Sequence, residues 1–232
     1  MKWVMGVDGC PSGWFVVAVG LQETAIGAIE CAVCETFADV LKVAQAKRVT
    51  VAAVDIPIGL LDEWRTGGRE CDRQARAQLG RRGCTVFSPP IRAQLGAATH
   101  DAAKELAPMT IQSFSIMAKI REVDAALATE RPGLVYEVHP EVSFALMSRG
   151  TPMADRKKSP NGRDQRIRAV ERSSWPRLLE ALNSRPHRVG VDDVLDACAA
   201  AWTAIRVERG EAICLPEKGT ECDQGRPMRI WA

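Results

Sequence analysis

Asp8, Asp55, Asp193 and Asp196 are of the right type and placement to hold a hard cation. Asp8 follows the apolar run Trp3-Val4-Met5-Gly6-Val7, and Asp55 follows Val49-Thr50-Val51-Ala52-Ala53-Val54. Asp193 and Asp196 stand in the first turns of an Ala-rich stretch, 191–206. A carboxylate closing a buried strand is expensive to desolvate unless a bound cation offsets the cost. For Asp8 the alternative is a turn cap through its own backbone. Three apart on a helix, Asp193 and Asp196 share a face, with roughly 5–6 Å between their β-carbons. Clustered without cations, such carboxylates repel one another and raise their own pKa values. Two divalent ions about 3.5–4 Å apart would neutralise them, activate a water and stabilise the leaving oxygen of a phosphodiester. Oxygen-only ligands favour Mg²⁺ or Mn²⁺ over Zn²⁺.

Glu137 ends another apolar run and is a candidate further ligand, or else the partner of an arginine. His139, two residues on, is placed to shuttle a proton, or to pack or cap before Pro140. Asp192 is the expected helix cap. Arg73, Arg76, Lys119, Lys157 and Lys158 are candidates to hold phosphates, though solvated surface accounts for each singly. They fall in or near two basic stretches. Residues 64–92 hold seven Arg against two acids, and residues 149–172 hold eight Lys or Arg against three. The net charge of +2 argues for no partner by itself, but this distribution suits a phosphate-rich one.

The elements that must position these groups follow from pattern. Two apolar runs flank Gly9-Cys10-Pro11-Ser12-Gly13, which predicts two antiparallel strands joined by a tight turn in a sheet covered on both faces. Residues 25–34 predict a third strand, and residues 36–44 a helix capped by Thr36. The strand ending in Asp55 comes next. Reached through a helical crossover, it should lie parallel to the first strand and bring Asp55 to Asp8. Residues 69–80 predict a basic helix, 111–128 one longer helix, 133–138 a fifth strand, and His139 to Met147 a short helix with Pro140 at its first turn. Ser159-Pro160-Asn161-Gly162 predicts an exposed loop. Trp175 to Asn183 predicts a short amphipathic helix and 191–206 a closely packed one; the tail offers a short apolar run at 212–215. The fold class is therefore α/β, with a mixed five-stranded sheet flanked by helices. The simplest organisation is one domain over 1–232 with a helical insertion at 60–110.

Eight Cys are scattered, and Cys31-x-x-Cys34 lacks a second pair at zinc spacing, so thiols reduced in the cytoplasm are expected. No signal peptide and no membrane-length apolar stretch are visible, so no membrane partner is expected.

Taken as a set, the motifs resemble a known family. They are Gly-Val-Asp-Gly-Cys-Pro-Ser-Gly-Trp (6–14), Ala-Val-Asp-Ile-Pro-Ile-Gly-Leu (53–60), Cys-Asp-Arg-Gln-Ala-Arg (71–76), Val-Phe-Ser-Pro-Pro (86–90), Lys-Ile-Arg-Glu-Val-Asp (119–124), Glu-Val-His-Pro-Glu-Val-Ser-Phe (137–144) and Asp-Asp-Val-Leu-Asp-Ala (192–197). The resemblance is to domain-of-unknown-function family 429, a bacterial and archaeal family described as predicted nucleases with an RNase H fold. The wider superfamily includes RNase H, retroviral integrases and the resolvase RuvC, where acids on strand one, strand four and a late helix hold two metals. The resemblance implies that Asp8, Asp55, Asp193 and Asp196 are metal ligands. The 60–110 insertion and the Glu-Val-His-Pro-Glu block have no counterpart in that minimal pattern.

The expected function is hydrolysis of phosphodiester bonds in structured DNA or RNA with Mg²⁺ or Mn²⁺, with nucleic acid as the partner. Two other classes compete. One is a nucleotide-binding phosphotransferase of the sugar-kinase and actin type, in which the 8–13 turn would wrap phosphates. The other is a non-catalytic nucleic-acid-binding module. The oligomeric state is open, a homodimer included.

Overall fold

The computed structural model describes residues 1–23, 25–128, 130 and 133–232. Strands β1 (Lys2–Cys10), β2 (Gly13–Leu21) and β3 (Ile26–Cys34) form an antiparallel meander, helix α1 (Phe37–Lys47) crosses over, and β4 (Val49–Val54) returns parallel to β1. Strand β5 (Val135–Glu137) adds parallel to β4, giving the order β3-β2-β1-β4-β5. This is an RNase H-like sheet.

The hairpin forms because Pro11 and Ser12 alone separate the paired residues Cys10 and Gly13. Gly13 sits at φ +123°, and a β-carbon there would lie 2.1 Å from the Cys34 carbonyl oxygen, so only glycine fits. Asp8 pairs opposite Phe15, two residues inside the strand rather than at its end. Helix α1 starts where expected: Thr36 Oγ1 accepts from the Asp39 amide at 3.2 Å.

Both faces of the sheet are covered. Val4, Phe15, Val17, Val51 and Ala53 bury one face under α8 (Val191–Arg209). Met5, Val7, Trp14, Val16 and Val54 bury the other against α1 and α5 (Met117–Leu127). The segment between β4 and β5 also carries α2 (Glu70–Leu79), α3 (His100–Leu106) and α4 (Ile111–Ser115). Helices α6 (Pro140–Met147) and α7 (Pro160–Glu171) precede α8.

Five expectations of detail change. The 111–128 helix is two, α4 and α5, broken at Ile116, whose φ −99° and ψ 0° depart from regular helical values of about −63° and −42°. Ser159-Pro160-Asn161-Gly162 is the start of α7, not a loop: Ser159 Oγ accepts from the Gly162 amide at 3.1 Å, and Pro160 occupies the first turn, where its missing N–H costs nothing. Residues Pro176–Ser184 form a 3₁₀ segment rather than an α-helix. Gly190, not Asp192, is the cap residue of α8, and Asp193 Oδ2 accepts the Gly190 amide at 3.0 Å. The tail is more than one short run. Cys214–Leu215 pairs with Ile230–Trp231, Val138 bridges to Trp231, and Asp223 accepts from Arg92 and the Leu60 amide.

Candidate active site

Strand alternation decides where the acids point. Val4 faces α8, so Asp8, four residues on, faces it too; Ala53 faces α8, and so does Asp55. The Asp55 amide bonds the Val7 carbonyl at 3.0 Å, continuing the β1–β4 register beyond the strand. Helix α8 then comes unusually close. A β-carbon on Gly6 would lie 2.1 Å from the Ala201 nitrogen and 2.2 Å from the Ala197 oxygen. Gly6 and the alanines of α8 let helix and strand backbones nearly touch. One turn earlier on α8, Asp193 and Asp196 come over the Asp8 end of the strand.

The result is a cleft of about 790 Å³ whose wall includes Asp8, Asp55, Asp193 and Asp196. Asp8 and Asp196 are buried, at 6% and 2% exposure, and Asp8 stands close enough to Asp55 for the charge of one to act on the other. Burial, then the charges of Asp55 and Asp196, hold Asp8 well above the ordinary carboxylate range. Burial lifts Asp55 to about 6 and Asp196 to about 7 even though Lys157 pulls both down. Asp193 is raised mainly by burial, while its bond from Gly190 lowers it. The Lys157 ammonium pairs with Asp196 Oδ2. Burial disfavours its charge, but Asp196, Asp8 and Asp55 together carry its pKa above the ordinary value.

The other sequence candidates fall into two groups. Lys119, Lys158 and His139 line the same cleft. Lys119 is anchored, donating to the Gly13 carbonyl at 2.5 Å with its ammonium 4.4 Å above the Trp14 ring. His139 is held neutral by burial; Nε2 is 3.4 Å from the Thr85 carbonyl, which can only accept, so the Nδ1 lone pair is left buried without a partner among the described residues. Glu137 lines the cleft, but its oxygens are engaged: Arg69 donates to Oε2 at 2.8 Å and to Oε1 at 2.5 Å, and the Ile58 amide donates to Oε2 at 2.7 Å. Arg73 and Arg76 do not line it. Arg73 pairs with Glu70, and Arg76 braces the insertion through the Val86 and Gly67 carbonyls and Ser88.

Two residues at this site escape sequence reasoning. Arg69 is 1% exposed and also donates to Asp72, so it joins the insertion to β5. Glu141, in the first turn of α6, lines the cleft at 6% exposure. Its signal was its position two residues after His139, where α6 leaves the strand next to the one that delivers Asp55.

The donors suit a hard divalent cation. They are carboxylate oxygens, desolvated and mutually repelling, and Asp196 Oδ1 and Glu141 Oε2 have no hydrogen-bond partner among the described residues. Among those residues no three acidic or imidazole groups close on a common point; the ammonium of Lys157 stands against Asp196 instead.

The model of one protein family, described as "Protein of unknown function (DUF429)", matches residues 6–221. A solved structure, that of Thermus thermophilus RuvC, is similar over 90% of this chain and 98% of its own, with 14% identity and a TM-score of 0.40. Among curated proteins none matches the chain. No helix is long and apolar enough to cross a membrane, among the described residues.

Proposed function

The chain belongs to the DUF429 family, and from the geometry of its cleft we propose that it is a divalent-metal-dependent nuclease hydrolysing phosphodiester bonds of structured DNA or RNA. One observation supports this above the rest. Acids from β1, from the end of β4 and from the first turns of α8 line a single cleft, and burial has already raised their pKa values. A structural core gains nothing from collecting such charges.

In this reading Asp8, Asp55, Asp193 and Asp196 hold Mg²⁺ or Mn²⁺, which when bound lowers the pKa of water and stabilises the leaving oxygen. The chain's own groups do the rest. Lys119 and the exposed Lys158 present positive charge along the cleft to backbone phosphates, which positions a strand without reading its sequence. Neutral His139 offers its Nδ1 lone pair to a proton released during hydrolysis. Lys157 pairs with Asp196 and would be available to a phosphate if a bound cation neutralised that carboxylate. Glu137 serves as the anchor of Arg69 rather than as a ligand. The hairpin does not favour a phosphate-wrapping role. Its two-residue turn offers the Ser12 amide but none from Pro11, which has no N–H.

The test is cleavage of labelled duplex, RNA–DNA hybrid and branched substrates across Mg²⁺ and Mn²⁺ titrations, wild type beside Asp8→Asn. A drop of about 10² or more in rate is expected, since metal charge stabilisation is worth several kcal/mol. Equal behaviour of the two proteins on every substrate sinks the proposal.

A further inference from the structure

Glu141 is a buried acid with one oxygen bound and one oxygen idle. Arg166, fully buried on α7, donates through Nε to Oε1 at 3.0 Å and through Nη2 to the same oxygen at 2.5 Å. Oε2 is buried and has no partner among the described residues. An unpaired carboxylate oxygen out of water costs free energy, so its retention asks for a ligand. The residue lines the cleft of the four aspartates, and its charge acts on Asp55, Asp196 and His139. A second orphan oxygen, Asp196 Oδ1, lines the same cleft.

We infer that Glu141 is a fifth acidic ligand of this cation pocket, presenting Oε2 to a divalent ion while Arg166 fixes its carboxylate as a positioning residue. The inference rests on the metal-dependent reading above and adds to it a ligand from α6, an element that the four aspartates do not use. The chemistry is consistent on both sides. Ligating carboxylates are normally held by hydrogen bonds on their other oxygen. Holding Oε1 with a guanidinium fork leaves Oε2 fixed and monodentate.

The test is Mn²⁺ binding, read by electron paramagnetic resonance of the free ion, on wild type, Asp8→Asn, Glu141→Gln and Glu141→Asp without nucleic acid. Gln keeps a carbonyl acceptor for Arg166 but removes the charge; Asp keeps the charge and withdraws it by one methylene. Circular dichroism checks that each variant is folded. Affinity is expected to fall about tenfold or more in Glu141→Gln and less in Glu141→Asp. Mn²⁺ binding lost in Asp8→Asn but unchanged in both Glu141 variants would overturn this inference and leave the metal reading standing. No binding by wild type would overturn the metal reading itself. If Glu141→Gln does not fold, an unchanged affinity in Glu141→Asp overturns the inference alone.

Discussion

Lys157 pairs with one oxygen of Asp196 and leaves the other buried and unmatched. The lysine comes from the stretch just ahead of α7, and its side chain is 39% exposed while that of Asp196 is 2% exposed. A flexible ammonium thus partly neutralises an acidic pocket that divalent cations would neutralise fully. In the metal-dependent reading the two cations would compete for the same carboxylates. Lys157→Met is therefore expected to bind Mn²⁺ about tenfold more tightly without nucleic acid, a difference of about 1.4 kcal/mol. It should also melt at lower temperature in chelator, the gap closing as Mn²⁺ is added. Calorimetric titration and thermal unfolding measure both. An unchanged Mn²⁺ affinity would mean that the lysine does not occupy the cation's place.

Glu137 gives a prediction of the opposite kind. Its oxygens take two bonds from Arg69, which is fully desolvated and shares itself with Asp72. Removing one partner of such a pair leaves charge buried and uncompensated, at a cost of about 3–5 kcal/mol. Glu137→Ala should lose about that much stability in urea unfolding, and Glu137→Gln less. Mn²⁺ affinity measured well below the unfolding midpoint should stay near wild type in Glu137→Gln. A stable Glu137→Gln that has lost metal binding would reverse the assignment.

Gly6 makes the approach of β1 to α8 possible, and with it the meeting of Asp8 with Asp193 and Asp196. A methyl group there would sit 2.1 Å from backbone nitrogen and 2.2 Å from backbone oxygen, neither of which can swing away. Gly6→Ala must push the helix off the strand. The expected loss is about 3 kcal/mol or more, at the upper end for overpacking, with weaker Mn²⁺ binding because the acids separate. Wild-type stability in Gly6→Ala, by urea unfolding, would show that β1 and α8 leave room for a methyl group between them.

Much of this was legible from pattern. The crossover through α1 fixes that β1 and β4 lie side by side, which brings Asp55 to Asp8; which face the two acids take shows only in the packing, because both strands are apolar at nearly every position. What escaped is what pairs over long separations. Nothing near Glu137 announces Arg69, 68 residues away, or near Glu141 announces Arg166, 25 residues on. The start of α7 reads as a loop in the sequence because Ser, Pro, Asn and Gly serve helix N-termini and loops alike, and the difference lies in one bond, Gly162 to Ser159. Asp192 and Asp193 are adjacent acids at a helix start, and only the backbone shows that Asp193 takes the capping bond.

The raised carboxylates set the pH dependence of the metal-free protein. Asp55 and Asp196 titrate at about 6 and about 7, with Asp8 raised as well, while each would lose its proton near 3.8 when unfolded. Between those values the folded chain binds more protons than the unfolded one, so stability falls as pH rises. Glu137, raised by burial to about 7, acts in the same direction. His139 acts in the opposite one: burial lowers its pKa, so below about 6.5 the unfolded chain takes up the proton and stability rises with pH. Above pH 6.5 that opposition fades as the unfolded histidine loses its proton, and the acids, more numerous and titrating higher, decide the slope. In chelator, raising the pH from 6.5 to 7.5 should therefore lower stability, on the order of 2 kcal/mol once water around the partly exposed Asp55 is allowed for. That is roughly 4–8 °C in melting temperature for a chain of this size. Saturating Mg²⁺ or Mn²⁺ should flatten the slope or invert it, because the ion binds the ionised carboxylates of the folded state and stabilises it more as protons leave. Asp196→Asn should flatten the slope without metal. Melting curves across that range with and without Mn²⁺ decide the matter, and stability in chelator that climbs through pH 7 would show that these acids are not desolvated together.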